Sequence, residues 1–287
     1  MTTYFAVIEA GGTKFNCAIM DGDKNIVAET RIPTTTPQET IGATIAFFKQ
    51  QQGQYAFSKL GLACFGPLDL ETASSTFGNI TATPKPDWSN TPIRQQLMQA
   101  LGVDVIIDTD VNGAALAEYL WGAAQGVDVA IYITVGTGVG GGVVINGKPL
   151  HGLVHPEIGH ILVPDKHNVK CACPFHDNCV EGLASGSSIA KIWDAPGETL
   201  SDEHQAWEVA TDALAHMCHN LLMTLSPNKI VLGGGVMAKP GLLDKVVAKT
   251  NASLAGYLTT STPLNEVIVA PQLGGISGLY GALALAM

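Results

Sequence analysis

Two segments of this 287-residue chain share a pattern that constrains its fold more than any other feature. In each, an apolar run of strand-forming residues meets a turn rich in Gly and Thr, and a second apolar run follows. The first segment spans residues 4–20, with its turn at Glu9–Lys14, and the second spans 129–145. We interpret both as β-hairpins. Strands and helices alternate after each hairpin, so the sequence predicts an α/β protein with two lobes of related topology.

The turn of the second segment contains a GxGxxG pattern made by Gly136, Gly138 and Gly141. In a dinucleotide-binding fold such glycines open a helix. Here the strand-forming residues Val143–Ile145 and an Asn-Gly turn signal follow them, which predicts a hairpin instead. Glycine-rich bends let backbone N–H groups approach an anion, and a Thr hydroxyl adds a donor. We therefore expect the two turns to bind phosphate groups, although either one alone could be an ordinary turn.

Composition excludes several classes of protein. The chain is 46% hydrophobic and 14% charged, which is typical of a folded protein with a substantial core. Its net charge of −10 argues against a nucleic-acid partner. Arg31 and Arg94 are its only arginines, so phosphate groups must be held mainly by backbone amides, Lys, hydroxyls or metal. No apolar run approaches the roughly 20 residues that span a bilayer, and no basic segment precedes the first strand. We expect no membrane partner, no signal peptide and a cytoplasmic location.

The hydrophobic pattern also predicts the domain organisation. We expect a small N-terminal lobe over residues 1–115 and a larger lobe over 116–274, with a C-terminal helix at about 275–287 that packs back on the first lobe. Among the other elements, the patterns predict helices over 37–52, 112–124 and 202–225, and strands over 103–107 and 266–271.

Two carboxylates follow the apolar strand that ends near residue 107. Asp108 and Asp110 stand between this strand and a helix, where ligands bind in α/β sheets. A carboxylate at this place can accept the proton of an attacking hydroxyl group. The alternative is that Asp110 or Asn112 only caps the helix. A third glycine turn, in "LGGGVM" at 232–237, is either a site for a base or ribose or a plain turn.

A segment rich in Cys and His, residues 151–182, predicts a structural zinc site. Cys173, His176 and Cys179 form a C-x-x-H-x-x-C pattern, and disulfides are rare in the cytoplasm. An upstream histidine would complete a tetrahedral site, and His160 is nearer in sequence than His151 or His155. Cys171 could also replace His176 to make a three-Cys site. Glu157, His160 and Glu181 flank these ligands, as groups that bind sugar hydroxyls or orient the metal would.

The order of these features resembles the ROK family of sugar kinases. The motifs that carry the resemblance are "EAGGTK", "DTDVNGAALAE", "TVGTGVGGGVV", "HPEIGH", "CPFHDNCVEGLASG" and "LGGGV", and they extend over the whole chain. The resemblance implies a two-lobed α/β fold of the actin-like, ribonuclease H-like ATPase type, as in the sugar kinase superfamily, with a zinc-binding insert. Within the family, "HGLVHPEIGH" and "TPKPDW" are most similar to bacterial fructokinases.

The resemblance also implies a reaction, with ATP and a hexose as partners. It implies that Asp110 is the base for attack of the fructose 6-hydroxyl on the γ-phosphate of ATP, and that Mg²⁺ accompanies ATP. Structural zinc would be held by His160, Cys173, His176 and Cys179. ATP would be bound by Gly11, Gly12, Thr13, Lys14, Gly136, Thr137, Gly138, Gly233, Gly234 and Gly235. The sugar would be bound by Gly66, Thr109, Glu157, His160 and Glu181.

Two residues depart from the family pattern. Glu9 stands where the family commonly has Asp, a variant that resembles fructokinases, and Thr109 stands where many members have Asn, which leaves the sugar contact at this position open and could reflect a furanose acceptor. The nearest alternative is another hexose kinase of the family, such as a glucokinase, a mannokinase or an N-acylmannosamine kinase. A non-catalytic sugar-sensing regulator is the alternative from a different class, but we expect no helix-turn-helix domain because the first strand begins by Tyr4. The resemblance further implies a homodimer.

Overall fold

The computed structural model describes residues 2–164, 166–259 and 261–287. They form two compact units, each with its own five-stranded sheet. The first unit comprises Met1–Leu120, His151–His155 and Gly275–Met287, and the second comprises Trp121–Leu150 and Pro156–Gly274. The border therefore follows Leu120 instead of residue 115. His151–His155, which the sequence analysis placed in the larger lobe, belongs to the first unit.

The strands and helices have the following bounds. The strands are β1 (Tyr4–Ala10), β2 (Lys14–Asp21), β3 (Ile26–Pro33), β4 (Phe57–Cys64), β5 (Asp104–Thr109), β6 (Val129–Val135), β7 (Val139–Ile145), β8 (Lys148–Pro149), β9 (Lys229–Gly233) and β10 (Ile268–Val269). The helices are α1 (Pro37–Gln52), α2 (Ile93–Leu101), α3 (Asp110–Trp121), α4 (Val180–Ala184), α5 (Gly186–Trp193), α6 (Gln205–Leu225), α7 (Leu242–Leu254), α8 (Leu264–Val267) and α9 (Ser277–Ala286).

The sheet of the first unit has the order β3-β2-β1-β4-β5. β1, β2 and β3 are antiparallel neighbours, whereas β4 and β5 run parallel to β1. Trp88 lies in the core beside Phe15 and Phe65, and its indole N–H donates to the Thr35 carbonyl over 2.7 Å. The indole therefore anchors the loop between β4 and α2, which carries the "TPKPDW" motif, to the sheet. The sheet brings the ends of β1, β4 and β5 to neighbouring positions, which is where the site residues of this unit lie.

The sheet of the second unit has the order β10-β9-β6-β7-β8. β6 and β7 form an antiparallel hairpin in which Val135 pairs with Val139, and β9 runs parallel to β6. The GxGxxG segment is therefore a hairpin turn and does not open a helix, as the sequence analysis predicted. The turn lies at the same edge of the sheet as the end of β9.

Most predicted elements are confirmed, with two exceptions. The helix predicted over 37–52 is α1, which begins at Pro37 after an N-cap at Thr36. The strand predicted over 266–271 is wrong in its length, because α8 takes its first residues and leaves β10 only two. β3 was not predicted, since its sequence does not alternate regularly between apolar and polar residues and Ile32 is its one buried side chain. No helix among the described residues has the length and hydropathy needed to span a bilayer.

Candidate active site

The junction between β5 and α3 places the predicted base at the start of a helix. The Thr109 hydroxyl oxygen accepts the Asn112 N–H over 3.1 Å, so Thr109 supplies the side-chain cap of α3. Asp110 follows as the first residue of the helix, and its Oδ1 accepts the Val111 N–H over 2.9 Å. The residue that caps α3 is therefore Thr109, whereas the sequence analysis considered Asp110 and Asn112. Thr109 thus has a local structural role.

The environment of Asp110 suits a general base. Burial raises the pKa of its carboxyl group from 3.8 to about 6, and the nearby Glu9 carboxylate acts in the same direction. The hydrogen bond from Val111 opposes this shift and keeps the pKa from rising further. A base whose pKa lies just below neutral pH is ionised at pH 7 and still accepts a proton readily.

The turn between β1 and β2 is held by hydrogen bonds from its own ends and from residue 34. The Gly11 N–H donates to the Lys14 carbonyl over 3.0 Å, and the Thr34 hydroxyl donates to the Gly11 carbonyl over 2.7 Å. Gly12, Thr13 and Lys14 are exposed at the tip of the turn. The turn thus presents exposed Gly, Thr and Lys on a fixed backbone, as an anion-binding turn requires.

The turn between β6 and β7 contacts the start of α5. The Gly136 carbonyl accepts the Gly186 N–H over 2.7 Å, and the Thr137 carbonyl accepts the Ser187 hydroxyl over 2.6 Å. Gly138 completes this turn by accepting the Gly136 N–H over 2.9 Å. The hairpin turn and the helix N-terminus are therefore held together within the second unit, and both offer backbone N–H groups to an anion.

A cavity of about 860 Å³ opens beside this turn, and Gly136, Thr137, Ser187, Trp207, Gly235 and Lys239 are among the residues that line it. Lys239 lies over the Trp207 ring, 4.8 Å from its centroid, and pairs with Asp202. Of the third glycine turn, Gly235 lines the cavity, whereas Gly233 and Gly234 do not. The volume is in the range of small-molecule sites, so the cavity can hold a nucleoside beside the turn between β6 and β7.

The four predicted zinc ligands lie together in the second unit. The donor atoms of His160, Cys173, His176 and Cys179 are all within 4.8 Å of one another. The Cys173 Sγ is 3.4 Å from the His176 Nδ1, and the Cys179 Sγ is 3.7 Å from the His160 Nδ1. A tetrahedral zinc with two thiolate and two imidazole ligands requires sulfur–nitrogen separations of about 3.6 Å. The cluster can therefore hold zinc, and this group of four does not include Cys171.

The predicted sugar-binding residues of the second unit surround the same cluster. The His160 Nε2 lies 3.9 Å from the Glu181 Oε1, so the two ring nitrogens of His160 face the metal cluster and Glu181 respectively. The other Glu181 oxygen accepts the Val139 N–H over 3.0 Å, next to the turn between β6 and β7. Glu157 is exposed and directly precedes the short helical turn that carries His160. The structure thus brings His160 and Glu181 together.

In the first unit, Gly66 follows the end of β4 and lies beside the His155 ring. Thr109 ends β5, next to Asp110. Sequence reasoning missed the pairing of Asp108 with His151, over 3.0 Å, because 43 residues separate them. It also missed Trp207 and Lys239, which no local motif marks.

Comparison with known proteins identifies the family. The family model described as the ROK family matches residues 5–287. The chain belongs to the ROK family. It is 46% identical to a fructokinase from Zymomonas mobilis, over 99% of this chain and 96% of that protein. It is 40% identical to a putative fructokinase from Bacillus subtilis, over 97% of this chain and 94% of that protein, and 27% identical to a glucokinase from Streptomyces coelicolor, over 97% and 96%.

Solved structures of ROK proteins share the fold. A ROK hexokinase from Thermus thermophilus superposes with a TM-score of 0.81 at 27% identity, covering 100% of this chain and 98% of that one. A ROK family glucokinase from Streptomyces griseus, solved in complex with glucose and AMPPNP, gives a TM-score of 0.72 at 26% identity, covering 100% and 99%. The expected ROK sugar kinase fold is therefore confirmed for this chain.

Proposed function

We propose that this chain is a ROK hexose kinase that transfers the γ-phosphoryl group of ATP to the 6-hydroxyl of fructose. The observation that carries the proposal is Asp110, a carboxylate at the start of α3 whose pKa is raised to about 6 by burial. Relatives named fructokinase at 35–46% identity support fructose as the acceptor. Relatives named glucokinase at 27–31% identity make glucose the second candidate.

In the proposed reaction, Asp110 accepts the proton of the sugar hydroxyl as its oxygen attacks the γ-phosphorus. The new bond joins this oxygen to phosphorus, the bond between the γ-phosphorus and its bridging oxygen breaks, and ADP leaves. Phosphoryl transfer depends mainly on positioning and on stabilisation of charge on the phosphate oxygens. The backbone N–H groups and hydroxyls of the two hairpin turns supply part of this stabilisation, and Mg²⁺ that accompanies ATP neutralises phosphate charge.

Two sets of residues are proposed to bind ATP. Gly11, Gly12, Thr13 and Lys14 in the first unit bind phosphate oxygens. Gly136, Thr137 and Gly138 in the second unit bind phosphate oxygens next to the cavity that takes the nucleoside. Gly235 lines that cavity. Gly233 ends β9, and Gly234 follows with a φ of +96°, a backbone conformation that favours glycine.

The sugar hydroxyls are bound by polar groups in the proposal. Glu157, His160 and Glu181 supply acceptors and donors, and Gly66 and Thr109 contribute from the first unit. The four-ligand cluster holds zinc, which fixes the ring of His160 and so orients its Nε2 toward the sugar and Glu181. Family resemblance further supports a homodimer, which light scattering after size-exclusion chromatography would test.

The first experiment is a coupled assay of ADP release with ATP and Mg²⁺ on fructose, glucose, mannose and N-acetylmannosamine. We expect kcat/KM for fructose to exceed the others by about tenfold or more, the size of effect that a few pocket contacts produce. A higher kcat/KM on another hexose would reject the fructose assignment and keep the kinase. If zinc-containing protein that is supplied with ATP and Mg²⁺ phosphorylates none of the four sugars, the proposed function is rejected.

A further inference from the structure

Asp108 is a buried carboxylate two residues before Asp110. Its residue is 4% exposed, and an ionised carboxylate at such a position is stable only when it is paired and hydrogen-bonded. Its Oδ1 accepts the Thr109 N–H and the Asn112 amide, each over 2.7 Å. These donors leave the negative charge of Asp108 without a counter-charge on its own strand or helix.

Protonated His151 supplies that counter-charge. Its Nε2 lies 3.0 Å from the Asp108 Oδ2 and 3.2 Å from the Oδ1, and it is the only basic side chain within ion-pair distance of Asp108 among the residues that the structure describes. The Asp108 carboxylate raises the pKa of His151 above its ordinary value by accepting this hydrogen bond. His151 was a distant candidate for the zinc site, but it is not part of the four-ligand cluster.

The contacts of Asp108 lead directly to Asp110. Asp108 holds the Thr109 backbone and the Asn112 side chain, and the Thr109 hydroxyl caps Asn112. The first turn of α3, which begins with Asp110, is therefore attached to Asp108 at two points. A carboxylate at Asp108 that lost its partner would be free to rotate, and the helix start would lose this attachment.

We propose that His151 is a positioning residue of the phosphoryl transfer: by pairing with Asp108 it fixes the β5–α3 junction that aims Asp110, and its positive charge offsets that of Asp108. The inference rests on the proposed function, since it gives Asp110 the role of base. The other titratable groups near Asp110 are Glu9 from β1 and the Cys64 thiol from β4. The Glu9 carboxylate favours a neutral Asp110, and an uncompensated negative charge on Asp108 would act in the same direction. Burial raises the pKa of the Cys64 thiol, which therefore adds no charge.

Two substitutions separate the hydrogen bond from the charge. His151→Leu removes both, and His151→Gln keeps a side-chain donor without a charge. We expect His151→Leu to lower kcat by about 10²-fold, the loss that a small misplacement of a reacting group produces, with KM for fructose changed by less than about threefold. We expect His151→Gln to recover at least about tenfold of that loss.

The pH dependence of kcat/KM tests whether the positive charge of His151 contributes. In His151→Gln the charge of Asp108 is no longer offset, so protonation of Asp110 becomes easier and the acidic limb of kcat/KM moves to higher pH. His219→Gln is the matched control, because His219 pairs with Ser253 in the second unit and is outside the proposed site. It should leave both kcat and the acidic limb unchanged.

The loss of kcat caused by His151→Leu should also depend on the presence of the Asp108 carboxylate. In an Asp108→Asn background, His151→Leu should lower kcat by less than about threefold, because there is no charge left to offset. Unchanged kcat in His151→Leu, a rise in KM alone, or an equal loss in the Asp108→Asn background would overturn the inference. If His151→Leu does not fold, the acidic limb of His151→Gln decides. Wild-type protein without hexose kinase activity would instead reject the proposed function itself.

Discussion

The contacts and the pKa of Asp110 depend on neighbouring residues in the structure. Its position after an apolar strand and before a helix could be read from the sequence, because ligands meet α/β sheets at strand ends. Whether it capped the helix could not be read, since Thr109, Asp110 and Asn112 are all able to cap. In the structure the Thr109 hydroxyl caps the helix. The pKa of Asp110 is raised mainly by burial, and the Glu9 carboxylate raises it further.

The raised pKa of Asp110 predicts how activity depends on pH. Because the ionised form is the base, kcat/KM should be half-maximal near pH 6, become constant about one pH unit higher and fall about tenfold per unit at lower pH. Asp110→Asn should lower kcat by about 10²–10⁴-fold, the usual contribution of a general base, while fructose binding measured by calorimetry is retained. Asp104→Asn, which changes an exposed carboxylate at the start of β5, is the control. Turnover close to wild type in Asp110→Asn would show that another group takes the proton.

The same pKa predicts an effect on stability. The folded protein binds the Asp110 proton more tightly than the unfolded chain, so ionisation between pH 3.8 and about 6 destabilises the fold. Asp110→Asn removes this cost and should raise Tm relative to wild type above pH 6, with a smaller difference below pH 4. Equal Tm differences at both pH values, measured by calorimetry, would show that burial does not penalise the charge.

Elements whose signals are local were predicted well. Each hairpin has its strands and its turn within about 20 residues, and three of the four metal ligands lie within seven residues. The cavity beside the turn between β6 and β7 was not predicted, because Ser187, Trp207 and Lys239 meet only after α5, α6 and the segment after β9 have packed. The fourth candidate ligand, His160, could not be singled out from spacing alone, and the structure places its Nδ1 3.7 Å from the Cys179 sulfur.

The metal loop gives a prediction at the scale of an element. Cys173→Ser should lose the zinc, lower Tm and raise KM for fructose, because the loop that holds His160 then lacks one of its four ligands. Cys171→Ser is the matched control, since Cys171 is buried beside Gly182 and is outside the cluster. It should retain about one zinc per chain by mass spectrometry after dialysis, as a four-ligand site requires. Zinc loss in Cys171→Ser with zinc retained in His176→Ala would instead support the three-Cys site.

At the scale of the whole molecule, the first unit is assembled from three separate parts of the chain. Hydrophobic pattern could predict that residues 274–287 are helical, and α9 is found at Ser277–Ala286. The pattern could not show which residues α9 meets, because more than 200 positions separate it from β4. The structure places the Ala282 carbonyl against Gly61 so closely that a β-carbon at Gly61 would lie 1.7 Å from its oxygen.

This close approach predicts that the return of the C-terminal helix depends on the absence of a side chain at residue 61. Gly61→Ala forces backbone against backbone, so α9 or β4 must shift, and overpacking of this kind costs about 1–3 kcal/mol or more. Gly42→Ala is the matched control: Gly42 is exposed within α1 and has no atom within 4 Å of an added β-carbon. That change should stabilise the protein by about 0.5–1 kcal/mol through helix propensity and reduced freedom of the unfolded chain. Urea unfolding of both variants measures the difference. A Gly61→Ala protein as stable as Gly42→Ala would mean that α9 does not pack against β4 at this distance in solution.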